Sequence, residues 1–157
     1  MADKIILEIK PLQGINSLVF GNTRQEAEAA FGKPDEKETI ESGDGQYKTE
    51  VWHYWSKGFS LFFDENVEYK FTCVEIDNHS ATIWETPLFN LKEQEIIDLF
   101  KGKGYKEIDT EMHEWGEKRV SFDDALVDLY FENNKLVSVN YGVLSNNEDN
   151  KMLIFPN

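Results

Sequence analysis

The chain has 157 residues, 40% hydrophobic and 13% aromatic, which is ample material for a core and too much for global disorder. Thirty acidic and 16 basic residues leave a formal net charge of −14 and a pI near 4.6. Such a balance argues against a nucleic-acid or anionic-membrane surface, and it favours a basic protein partner.

In chain order, the N-terminal stretch Met1–Lys10 holds a short apolar run among Asp3, Lys4 and Glu8. It lacks the long apolar core of a signal peptide, and no run is long enough to cross a membrane, so a cytoplasmic protein is expected. A strand is expected at Lys4–Lys10. Asn22 or Thr23 then caps a helix that ends at Phe31, where Gly32, Lys33 and Pro34 stop it. Strands follow at Glu36–Glu41, Lys48–Trp55, Phe59–Asp64 and Lys70–Asp77, separated by turn signals such as Ser42-Gly43-Asp44-Gly45 and Lys57-Gly58. A second helix, capped by Asn90, ends at Gly102 and Gly104. Further strands are expected at Lys106–Thr110, Glu117–Phe122, Ala125–Glu132 and Lys135–Val143, and the tail Met152–Phe155 pairs with or covers an edge.

Three blocks recur in the same order. Thr23–Phe31 matches Lys92–Phe100 at an offset of 69, Phe59–Asn66 matches Val127–Asn134 at 68, and Lys70–Ile76 matches Lys135–Tyr141 at 65. The drift assigns three extra residues, Val67–Tyr69, to the first copy's hairpin. The expected fold is therefore α+β: two tandem copies of a helix followed by a three- to four-stranded antiparallel sheet, at 1–78 and 79–157, packed as one unit. Helices cover one face and the other face is free. Each half carries 15 acidic and 8 basic residues, so the charge is spread evenly.

Superposing the copies separates the two faces, because alternate strand residues point to opposite sides. Trp52, Tyr54, Phe59, Leu61, Phe63, Thr72, Val74 and Ile76 fall on an apolar set in the second copy, and both sets are assigned to the core. The alternate set pairs His53 with Ser121, Trp55 with Asp123, Ser60 with Asp128 and Phe62 with Tyr130. It also pairs Asp64 with Glu132, Phe71 with Leu136 and Glu75 with Asn140. A mixture of aromatics and carboxylates on an uncovered sheet suits a protein contact. The candidate partner-binding residues are His53, Trp55, Phe62, Asp64, Phe71, Glu75, Trp115, Asp123, Asp128 and Tyr130. Trp115 joins them from an acidic loop, while Trp84, in the segment between the copies, is assigned to packing.

No catalytic kit stands out. His53, His79 and His113 lie far apart, at no metal-ligand spacing with each other or with the lone Cys73, which is expected to be a packed or half-buried thiol. There is no nucleophile elbow, phosphate loop or dinucleotide fingerprint. The carboxylate pairs Asp123-Asp124 and Glu148-Asp149 are what any acidic chain produces. No cofactor, metal or catalytic residue is assigned.

Val19-Phe20-Gly21-Asn22-Thr23-Arg24-Gln25-Glu26 leads to Phe31-Gly32-Lys33-Pro34-Asp35, and Trp52-His53-Tyr54 and Gly58-Phe59-Ser60-Leu61-Phe62-Phe63 follow. This arrangement resembles the helix-plus-sheet module of the β-lactamase inhibitor proteins and of small outer-membrane assembly lipoproteins. The second half matches in outline, with Lys101-Gly102-Lys103-Gly104 in place of the Gly-x-Pro-Asp signature. The resemblance implies action by protein–protein contact. With the acidic charge, it gives the expected function: a non-catalytic inhibitor, most concretely an immunity protein that neutralises a basic bacterial toxin domain such as a nuclease. A homodimeric assembly module is the alternative, and a small enzyme or ligand-binding domain comes after that.

Overall fold

The computed structural model describes residues 6–41 and 45–143. The expected turn at Ser42–Asp44, the tail strand Met152–Phe155, the pair Glu148-Asp149 and the first residues of the N-terminal strand lie outside them.

Most individual strands form where alternation places them. In the large sheet these are β4 (Glu36–Glu41), β5 (Lys48–Tyr54), β6 (Phe59–Asp64), β7 (Lys70–Ile76), β10 (Ile108–Met112), β11 (Glu117–Phe122), β12 (Val127–Glu132) and β13 (Lys135–Gly142). Their assembly differs from expectation. Among the described residues strand makes up 47% and there are two α-helices, so the fold is mostly β and not two tandem helix-plus-small-sheet copies. The reason is backbone pairing between the halves. Strand β13 runs antiparallel to β7 with Val139 opposite Ile76 and Tyr141 opposite Val74, and this fuses the strands into one sheet of order β10-β11-β12-β13-β7-β6-β5-β4.

A second, five-stranded sheet was absent from the repeat reading. It orders β3 (Leu18–Val19), β2 (Gly14–Ile15), β1 (Glu8–Lys10), β8 (Thr82–Ile83) and β9 (Thr86–Pro87), with β1 and β8 parallel. Its strands of two or three residues are too short to show any periodicity.

Helix α1 (Arg24–Phe31) begins at Thr23, whose hydroxyl accepts from the Glu26 amide at 3.1 Å while Glu26 accepts from the Thr23 amide at 2.9 Å. This reciprocal cap offsets the helix's short length. Helix α2 (Glu93–Gly102) starts at Lys92 rather than Asn90, because Asn90 lies in a short 3₁₀ turn at Leu88–Asn90. Lysine cannot accept a bond, so only Glu95 contributes there, taking the Lys92 amide at 2.8 Å.

Three elements cover one face of the large sheet. Phe31 of α1 packs on Phe59 with ring centroids 4.8 Å apart, and Phe100 of α2 stacks on Phe122 at 4.5 Å. Between them the small sheet lies over the middle, where the Tyr141 hydroxyl donates to the Gly14 carbonyl at 2.8 Å and Phe20 meets Phe71 at 4.7 Å. Trp52, Tyr54, Leu61, Phe63, Val74, Ile76, Val120, Leu129, Phe131 and Val139 complete this buried layer. Trp84 packs edge-on against Phe100 at 5.0 Å and lies near-parallel to Tyr105 at 6.0 Å.

Two bulges change which residues belong to the core. The register slips between Phe62 and Phe63, so Thr72 is extra on β7, and again between Tyr130 and Phe131, so Val137 is extra on β13. Beyond each bulge the alternation reverses. Phe71 and Leu136 thus turn inward, at 0% and 2% exposed, and Thr72 joins the opposite face.

Candidate protein-binding face

Among the described residues no element covers the face opposite the helices, and one row of residues crosses all eight strands. From one edge to the other it runs Glu36, His53, Ser60, Glu75, Asn140, Asp128, Ser121 and Asp109, each directly opposite the next. Every member is polar, four are carboxylates and none is Lys or Arg. The adjacent row, one residue along each strand on the covered side, includes Trp52, Leu61, Val74, Tyr141, Val127 and Phe122. A single step along the chain separates the two environments.

Hydrogen bonds hold the row in place. His53 Nδ1 lies 2.8 Å from Ser60 Oγ and its Nε2 lies 2.8 Å from Glu38 Oε1. Trp55 covers the imidazole, nearly parallel at 4.1 Å, and donates its indole N–H to Glu36 at 2.9 Å. On the other half, Ser121 donates to Asp128 at 2.5 Å and itself accepts from Arg119. Arg119 also meets Asp109 at 3.3 Å and Glu111 at 3.8 Å. Desolvation works against its charge, but the bond to Asp109 and the fields of Asp128 and Glu111 outweigh it and raise the guanidinium pKa. Desolvation, reinforced by Asp77, lifts the Glu75 carboxyl above its ordinary range. Desolvation and Asp128 raise Tyr130.

The face has a depression near its centre, where the strands of the two halves meet. A cavity of about 310 Å³ opens there, lined among others by Asp64, Cys73, Asp123, Leu126, Asp128 and Asn140. Asp64 accepts from Thr49 at 2.6 Å and from Thr72 at 2.8 Å. The Cys73 thiol donates to Asn140 Oδ1 at 3.0 Å. Burial, with the charges of Asp64 and Glu75, pushes that thiol far up, so it stays protonated and is a poor nucleophile.

Of the ten candidate residues, His53, Phe62, Asp64, Glu75, Asp128 and Tyr130 occupy the open face, and exposed Trp55 leans over it. Asp123 sits in the turn after β11 and lines the cavity. Trp115 is 69% exposed in the β10–β11 hairpin, where it packs on His113 at 4.4 Å, away from the central row. Phe71 does not belong to the set, since the bulge turns it into the core. Sequence reasoning missed Glu36, Glu38, Asp109 and Arg119. Alternation along β11 from Ser121 was the signal that would have found Arg119, whereas the other three lie in edge strands exposed along their whole length.

Glu38, His53 and Ser60 have the spacing of a nucleophile relay, but Ser60 is 4% exposed. It sits mid-strand, where neighbouring amides are engaged in the β5–β6–β7 ladders, so no pair of N–H groups stands ready for an oxyanion. Among the described residues no group of three or more His, Cys, Asp or Glu is placed to hold a metal ion, and no helix is long and apolar enough to cross a membrane. No protein-family model, curated protein or solved structure matches the chain.

Proposed function

We propose that this protein is a non-catalytic inhibitor that docks a basic protein domain on the open face of its large sheet, as an immunity protein would occlude a toxin. The observation that carries this reading is the all-polar row with four carboxylates across eight strands. Seven inter-strand steps make it about 34 Å wide, and strands of about six residues make it about 20 Å tall. That is close to the ~800 Å² per partner of a standard interface. Trp55, Phe62 and Tyr130 supply aromatic area within it, the usual source of anchoring energy. A carboxylate-lined face speeds encounter with a cationic partner and repels nucleic acid, so it competes directly for a nuclease groove.

Co-expression with the products of neighbouring genes, followed by affinity capture, tests the reading. A 1:1 complex is expected, with an association rate that falls steeply as salt rises. Reversing two row charges, Glu75→Lys with Asp128→Lys, should slow association at least about tenfold while the chain stays folded. A chain that remains alone with every basic candidate, or a complex indifferent to the reversal, overturns it.

A further inference from the structure

We infer that the depression at the centre of the open face is a socket for one arginine side chain of the partner. This rests on the docking reading above and deepens it, by naming the residue type that the face recognises. The socket has the two parts an arginine needs. Leu126 and Val143 provide apolar wall for the aliphatic stem. Asp64, Asp123, Asp128 and the Asn140 amide line the opening with acceptors, and among the described residues no Lys or Arg lines it. The volume of about 310 Å³ holds such a side chain with room for water.

Guanidinium suits this lining better than ammonium. Asp64 already accepts two hydroxyl bonds, while Asp128 accepts one and stands 3.8 Å from Arg119, so each offers the newcomer only part of its capacity. Five donors in a planar fork can reach several such partly occupied acceptors at once, whereas a compact ammonium satisfies fewer. The floor is kept low by Gly142, opposite Cys73. A Cβ there would stand 2.4 Å from the Thr72 carbonyl and 3.1 Å from Cys73 Cβ, so no side chain can rise from that position into the space. The bulge at Thr72 and the junction of β7 with β13 therefore create the depression together.

The isolated chain suffices for the test, so its outcome is independent of whether a partner is found. N-acetyl-arginine methylamide is titrated into labelled protein and followed by amide NMR, with the lysine and norleucine analogues as comparisons. Saturable shifts are expected at Cys73, Asp128 and Asn140, with millimolar affinity for the arginine analogue, roughly fivefold weaker for lysine and none for norleucine. Asp128→Asn and Asp64→Asn should each weaken binding about fivefold. One comparison guards against misfolded variants: away from the socket, each variant's amide spectrum should superpose on that of the unaltered chain. Shifts scattered over the surface as with simple salt, lysine bound as tightly as arginine, or undiminished binding by both folded variants would each overturn the assignment.

Discussion

The two faces of the eight-stranded sheet are built from the same strands and differ by one residue of phase. On β6, Phe59, Leu61 and Phe63 are buried against the helices and the small sheet, while Ser60, Phe62 and Asp64 face the other way. The covered face is held by apolar area, which is additive and non-directional. The open face is held by directed polar pairs: His53 with Glu38 and Ser60, Asp64 with two threonines, Arg119 with its carboxylates. If the open face is the docking surface proposed above, one face accounts for stability and the other for recognition, so mutations on the two should read out in different experiments.

The largest effect is expected on the covered face. Leu61 is 0% exposed in mid-sheet, opposite Trp52 on one side and Val74 on the other. Leu61→Ala leaves a cavity under the helices and should cost about 2–5 kcal/mol, measured as a lower urea midpoint with unchanged slope. The open-face neighbour Phe62→Ala is only half-buried and should cost clearly less. Equal losses at the two positions would mean that the open face is itself packed against something, and the contrast between the faces would fail.

A middle-sized effect is expected where the phase changes. Thr72 is the extra residue of the first bulge, is 2% exposed and donates to Asp64 at 2.8 Å. Thr72→Val keeps the shape and removes the donor, leaving Asp64 with one bond fewer at the cavity. A loss of about 1–2 kcal/mol is expected by chemical denaturation. Thr72→Ser, which retains the hydroxyl, should recover most of it. If serine is no better than valine, methyl packing and not the hydrogen bond holds the bulge.

The same phase change marks the boundary of what was legible in the chain. Strands such as Phe59–Asp64 and Glu117–Phe122 alternate plainly, so their bounds and their two faces could be read directly. Phe71 and Leu136 could not be assigned correctly, since an inserted residue leaves no mark of its own in a short pattern and simply inverts the parity beyond it. The pairing of β7 with β13 was hidden for a different reason. Both strands are good central strands with either set of neighbours, and only the tertiary arrangement chooses between two small sheets and one large one. The site was legible in the inner strands, where His53, Glu75 and Asp128 announce themselves against apolar neighbours. It was not legible in β4 and β10, which are exposed along their whole length, so neither face stands out.

The smallest effect would separate stability from recognition at a single carboxylate. Glu75 stands in the central row between Ser60 and Asn140, its pKa raised first by desolvation and next by Asp77, with His53 opposing. A carboxyl whose folded pKa lies above its unfolded value makes the native state bind protons more readily, so stability falls as pH rises through that interval. Above the folded pKa the full penalty of the charge is present, and below the unfolded value it is absent. Glu75→Gln removes the charge and keeps the shape. It should therefore stabilise the protein near neutral pH by a few tenths of a kcal/mol after solvent screening, seen as a small rise in Tm. The gain should shrink on acidification and vanish below the ordinary glutamate range. The same substitution removes one of the four row carboxylates, so association with a basic partner should slow while the fold tightens. A variant that loses stability at neutral pH would show that Glu75 is held by favourable contacts, and its charge would then belong to the structure and not to the partner.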